Sequence, residues 1–293
     1  MRRQRNLHMN TSNIPFVFFG TPAYAVETLE TLREHGYVPT LIVTAPDRPQ
    51  GRGLTVQPSP VALWAEAHNI PTLKPEKITP EVIADIAQTS VVVFIVAAYG
   101  KILPQKLLDI PSHGTLNVHP SLLPKYRGPS PLEAPILAGD TETGVTIIAL
   151  DHEVDHGPIL VQEKIPLTGN EFAHELGTTL FKKGGELLAD ILPEHIAGTV
   201  STTEQDHTQA TFTKKITKEH GLVDTEKEPE VKLWAKFRAY TPWPGLYFFK
   251  EHTDGTQIRI KIKTAHHEGE QFVIDTVIPE GKKEISYKDY FKQ

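Results

Sequence analysis

The chain has 293 residues, 39% of them hydrophobic, and a formal net charge of -6. That length suits one large domain or two ordinary ones, and the composition is neither that of a disordered chain nor of a fibrous one. Cysteine is absent, which excludes disulfides, thiolate metal sites and a cysteine nucleophile, and no apolar run approaches the roughly eighteen residues of a membrane span.

The first thirteen residues carry Arg2, Arg3 and Arg5 without an apolar core, so they read as a flexible tail over 1–13 rather than a secretory signal. Phe16 to Phe19 is a short apolar run ending at Gly20-Thr21-Pro22, followed by Val26, Leu29 and Leu32 at helical spacing. This predicts strand, tight turn and helix, with Thr21 as cap and Pro22 at the first helical position. Leu41-Ile42-Val43 is the next strand. Residues 45–60 are dense in Pro, Gly and Arg and keep no apolar period, which predicts a long surface loop.

Helices are expected near Val61 to His68 and Pro80 to Gln88, with strands over Val91 to Val96, Thr115 to Val118 and Gly144 to Leu150. Strands alternating with helices argue for a doubly wound, Rossmann-like, mostly parallel sheet with helices on both faces. Glu171 to Leu192 is a long helix whose apolar face is Leu176, Leu180, Leu187, Leu188 and Ile191, and Pro193 is expected to end or kink it. A polar, Ser/Thr-rich stretch then reads as a linker over 199–210 between a first domain, 14–198, and a last one, 211–293. In that last part Ile258 to Lys263 alternates strictly and Gln271 to Val277 forms another strand, predicting a small β-rich domain.

Asn117 and His119 stand two apart at a strand end, so their side chains share one face. An amide beside an imidazole suits polarising a carbonyl and moving a proton; a turn-satisfying Asn and a structural His are the alternative. The acidic loop Asp151-His152-Glu153-Val154-Asp155-His156 follows a strand directly. A carboxylate there, Asp151 or Asp155, could orient the imidazole, or the loop is simply a solvated turn. His152 to His156 also satisfies the H-E-x-x-H pattern of zinc proteases, but that chemistry needs a helix, and Gly157-Pro158 denies one. No metal is expected. The glycine fingerprint of nicotinamide enzymes and the lysine-bearing phosphate loop are both missing after the first strand, although a helix N-terminus at Gly20-Thr21-Pro22 could receive a polar ligand group.

The basic residues are unevenly spread: residues 1–206 hold 15 Lys+Arg against 23 Asp+Glu, and 207–293 hold 15 against 13. Arg259, Lys261 and Lys263 fall on one strand face opposite Ile258, Ile260 and Ile262. With Lys214 and Lys215 they could contact a polyanion in a salt-dependent way, or form an ordinary solvated face.

Nearly the whole chain resembles the methionyl-tRNA formyltransferases. The resemblance is carried by Phe19 to Pro22, by Pro46 to Gly53, by Ala98-Tyr99-Gly100-Lys101-Ile102-Leu103-Pro104 and by Asn117 to Gly128, reading N-V-H-P-S-L-L-P-K-Y-R-G. The wider folate-dependent superfamily, which includes sugar N-formyltransferases, shares the N-x-H-x-S-L-L-P core and an aspartate 36 residues after the histidine, here Asp155.

The resemblance implies formyl transfer from 10-formyltetrahydrofolate to the amino group of methionyl-tRNA, by a cytoplasmic monomer that needs neither metal nor membrane. It assigns catalysis to Asn117, His119 and Asp155, and the folate to Tyr99, Gly100, Lys101, Ile102, Leu103, Ser121, Leu122, Leu123, Pro124, Asp151, His152, Glu153 and Val154. It assigns the initiator tRNA to Gly20, Thr21, Pro22, Arg48, Arg52, Lys214, Lys215, Arg259, Lys261 and Lys263, and makes the last domain an OB-like barrel that binds tRNA. Two features depart from the family: Leu54-Thr55-Val56 stands where lysines usually follow Gly53, and the last domain is shortened between Lys263 and Pro279. A sugar or small-amine formyltransferase, and a non-catalytic RNA-binding protein on the same fold, are the competing readings.

Overall fold

The computed structural model describes residues 14–50, 55–251 and 255–292. Its elements, in chain order, are β1 (Phe16–Gly20), α1 (Ala23–Glu34), β2 (Leu41–Val43), β3 (Arg48–Gln50), β4 (Thr55–Gln57), α2 (Pro60–Ala67), β5 (Thr72–Leu73), α3 (Pro80–Ala87), β6 (Val93–Ala97), α4 (Gln105–Leu108) and β7 (Thr115–His119). They continue as α5 (Glu133–Ala138), β8 (Glu142–Ala149), β9 (Ile159–Pro166), α6 (Ala173–Ile196), α7 (Glu230–Tyr240), β10 (Tyr247–Glu251), β11 (Gln257–Glu268), β12 (Gln271–Pro279), β13 (Ile285–Ser286) and α8 (Tyr287–Tyr290).

Two compact units emerge. One comprises the residues up to Arg127 with Gly144–Ile165 and Gly177–Phe212; the other comprises Gly128–Thr143, Pro166–Leu176 and the chain from Thr213 onward. The first is built on the sheet β5-β2-β1-β6-β7-β8-β9. Its strands run parallel from β5 through β7, and β8 pairs antiparallel with β7. Every residue of β1, β6 and β7 is buried, the all-apolar signature of central strands covered on both sides. On one side Phe19, Val43, Phe94 and Val96 pack with Ile86 of α3 and Leu107 of α4.

On the other side α6 lies so close that a Cβ at Gly184 would come within 2.3 Å of Val118 Cγ1, and one at Gly185 within 2.7 Å of Thr31. Because strand side chains alternate, Val118 facing α6 turns Asn117 and His119 to the opposite face. The buried stripe of α6 is Leu176, Leu180, Phe181, Leu188 and Leu192, while Leu187 and Ile191 are only half-buried.

Several local expectations are corrected. Of the two outcomes expected at Pro193, ending the helix does not occur: Pro193 lies inside α6, and Ala197 N–H donates to the Pro193 carbonyl. The N-cap of α1 is Pro22, not Thr21; the Thr21 hydroxyl donates instead to the Tyr99 carbonyl at 3.4 Å. The Pro- and Gly-rich loop carries a two-stranded antiparallel pair, β3 with β4, registered Arg48 to Gln57.

The second unit holds the antiparallel sheet β10-β11-β12-β13, against which Leu233 and Phe237 of α7 are buried, with Phe237 and Trp234 ringed by Phe172 and Phe272. The strict alternation seen in the sequence is realised in β11: Ile260 and Ile262 are buried while Arg259 and Lys263 are exposed. Among the described residues no helix is long and apolar enough to cross a membrane.

Candidate active site

Strand order reverses between β1 and β6, and in open α/β sheets the crevice beyond the carboxyl ends at such a point receives ligands. Two separately recognised segments meet there, Gly20-Thr21-Pro22 after β1 and Tyr99 to Leu103 after β6. Only glycine fits at 20, since a Cβ would approach the Ala97 carbonyl oxygen to 2.9 Å.

Tyr99 is buried edge-on against Phe19, and burial pushes its phenol up to about 12. The Lys101 ammonium donates to the carbonyls of Pro75 and Glu76 at 2.5 and 3.0 Å. Desolvation holds it below the usual lysine range despite the nearby Glu76. Gly100 takes a left-handed backbone, φ 77°, and the Ile102 side chain is 86% exposed next to buried Leu103.

Asn117 and His119 are almost wholly buried on β7. Asp155 reaches them from the loop after β8: its Oδ1 lies 3.4 Å from Asn117 Nδ2 and 3.5 Å from His119 Nδ1. The other ring nitrogen, Nε2, is 3.0 Å from the Tyr126 carbonyl. A carbonyl only accepts, so Nε2 carries hydrogen. Nδ1 faces Asp155 Oδ1, beside the amide of Asn117. Distances near 3.5 Å are loose for hydrogen bonds.

The turn after β7 is locked from beneath. Thr146 donates its hydroxyl to the Ser121 carbonyl at 2.6 Å and accepts from Leu123 N–H and from Gln162, while the Ser121 hydroxyl donates to the Lys125 carbonyl at 2.6 Å. Ser121 and Leu123 are therefore buried in protein, whereas Leu122 packs beside Gly144.

In the acidic loop His152 and Val154 are exposed. Asp151 accepts from His156 Nδ1 at 2.7 Å and from Glu153 N–H at 2.9 Å. Burial opposes its ionisation, yet these two donors hold its carboxyl below the usual range. The loop forms bends and turns where H-E-x-x-H chemistry needs a helix.

Arg48 pairs with Glu76 at 2.6 Å on the surface of the first unit, and Arg52 lies outside the described residues. Lys214, Lys215, Arg259, Lys261 and Lys263 belong to the second unit. Four residues beside the cluster had no assigned part: Tyr126, through its carbonyl, and buried Arg127 and Gln205 with exposed His207, which form a network with the Asp155 loop.

A doubly wound sheet with an amide, an imidazole and a carboxylate converging on one spot, in a chain without thiols, has the makings of a group-transfer enzyme that polarises a carbonyl. The Formyl transferase family matches residues 12–192, and its C-terminal domain family matches residues 215–293. The methionyl-tRNA formyltransferase of Thermus thermophilus is 42% identical over 90% of this chain and 85% of its own length. That of Geobacter sulfurreducens is 40% identical over 92% and 84%. The solved methionyl-tRNA formyltransferase of Clostridium thermocellum, 14% identical, shares the fold with a TM-score of 0.61 over 94% of this chain and all of its own. The chain belongs to the formyl transferase family, among the methionyl-tRNA formyltransferases.

Proposed function

We propose that the protein transfers the formyl group of 10-formyltetrahydrofolate to the amino group of methionyl-tRNA. Residues 14–198 perform the transfer and 211–293 hold the tRNA; the folate lies against Tyr99 to Leu103 and the Asp151 to Asp155 loop. The observation that carries this reading is the approach of a single Asp155 oxygen to both Asn117 and His119.

The amine must be neutral to attack, and α-amino groups titrate near 8, so little proton removal is needed at neutral pH. Its nitrogen bonds to the formyl carbon, and the carbonyl oxygen becomes an oxyanion that Asn117 and His119 stabilise. Asp155 orients His119 and helps relay the amine proton to the folate nitrogen as its bond to carbon breaks. Arg259, Lys261 and Lys263 contact phosphates, which sets position rather than sequence preference. The reading makes the protein a cytoplasmic monomer.

The experiment is incubation of the protein with labelled 10-formyltetrahydrofolate and either methionyl-tRNA or amino-sugar nucleotides. Label on the tRNA is expected; label on the sugars alone would replace this acceptor with the other.

A further inference from the structure

Asp155 sits in a left-handed backbone conformation, φ 49°, which aspartate tolerates better than most residues other than glycine. Gln205 fastens the backbone there. Its Nε2 donates to the carbonyls of Asp155 and Gly157 at 2.9 and 2.7 Å, and its Oε1 accepts from Arg127 Nε and Nη2 at 3.1 and 2.7 Å. Gln205 and Arg127 are 4% and 3% exposed. Arg127 is steadied further by His207 Nδ1 at 2.8 Å, whose ring stacks on that of His156.

The same segment also grips the imidazole side. Thr211 Oγ1 accepts from Tyr126 N–H at 2.8 Å, and the Thr211 carbonyl accepts from Arg127 N–H at 2.9 Å. Tyr126 in turn presents the carbonyl that holds His119 Nε2. Residues 205 to 211 thus fasten the backbone on both sides of the carboxylate and the ring.

We propose that Gln205 is a positioning residue for formyl transfer, holding the Asp155 loop so that the carboxylate faces His119 and Asn117. This rests on the catalytic reading of Asp155. Two carbonyls need donors and a guanidinium needs an acceptor, and a primary amide is the neutral side chain that supplies both. Glutamate would set lone pairs against two carbonyls, and methionine would leave buried groups unsatisfied.

The test measures kcat and KM for formyl transfer to methionyl-tRNA by the full chain carrying Gln205→Glu, which keeps the volume and the acceptor toward Arg127 but loses the donors. The expected result is a kcat roughly ten- to a hundredfold lower, as for a misplaced catalytic group, with KM for either substrate unchanged. In an Asp155→Asn background the same substitution adds no further loss. Wild-type kcat, or an equal loss in both backgrounds, overturns the proposal. Should the glutamate variant not fold, Gln205→Met is measured with the same expectations. Full turnover by Asp155→Asn alone would remove the catalytic reading and this inference together, whereas loss there with none at Gln205 rejects only the positioning role.

Discussion

Asp155 Oδ1 stands 3.5 Å from His119 Nδ1 while the Tyr126 carbonyl occupies the opposite ring nitrogen. The ring therefore cannot rotate to offer Nε2 to a reactant without giving up that acceptor. Asp155→Asn isolates the charge, because asparagine also tolerates the left-handed backbone of that position. Turnover is expected to fall about a hundredfold or more, the usual effect of disabling a transition-state electrostatic group, with folding unchanged by circular dichroism. Near wild-type turnover across pH would remove Asp155 from the reaction.

Gly184→Ala tests how closely α6 must approach β7. The added methyl would meet Val118 Cγ1 at 2.3 Å, and overpacking of this kind destabilises by about 1–3 kcal/mol. A lowered denaturant midpoint is expected. Because Val118 lies between Asn117 and His119, kcat should fall as well. An unchanged midpoint would mean that the helix relaxes away freely.

Acid sensitivity is expected from Glu171. Burial resists its ionisation, but the Thr168 hydroxyl and the N–H groups of Thr168 and Gly169 hold its pKa at about 2, against 4.5 for the ordinary group. A depressed carboxylate stabilises the fold fully above its unfolded pKa, and that contribution fades as pH falls from about 4.5 toward 2. Glu171→Gln should therefore lower the urea midpoint at pH 6 and show a shallower decline between pH 5 and 3. Parallel pH profiles would contradict the assignment.

The basic face of β11 is open to a salt titration. Arg259→Ala removes one exposed cation, so KM for methionyl-tRNA should rise and the slope of its logarithm against log salt should flatten by about one phosphate contact. KM for the folate donor should not move. Equal effects on both substrates would exclude a role for this face in holding tRNA.

Most of the first unit was legible because its strands and helices write their period locally. Phe16 to Phe19 and the strand around Phe94 are uniformly apolar since both faces are covered. Asn117 and His119 share a face by spacing alone. Asp155 could be distinguished from Asp151 only through family resemblance, since both stand in one polar turn. The β3–β4 pair was missed because its composition is that of a loop, and the sequence left open whether α6 stops at Pro193, because one lost bond near a helix end is tolerated.

By itself, then, the amino-acid order determined the alternating architecture, the same-face amide and imidazole, and the buried and basic faces of β11, all of which follow from periods of two and 3.6 residues. Tertiary structure alone decided that Gln205, in a stretch as polar as any linker, would be buried between Asp155 and Arg127, 50 and 78 residues away along the chain. It also decided that a main-chain carbonyl at Tyr126 would hold the ring. A polar side chain bonding to distant backbone leaves no periodic trace, because its partners are chosen by how the chain closes on itself and not by its neighbours in sequence.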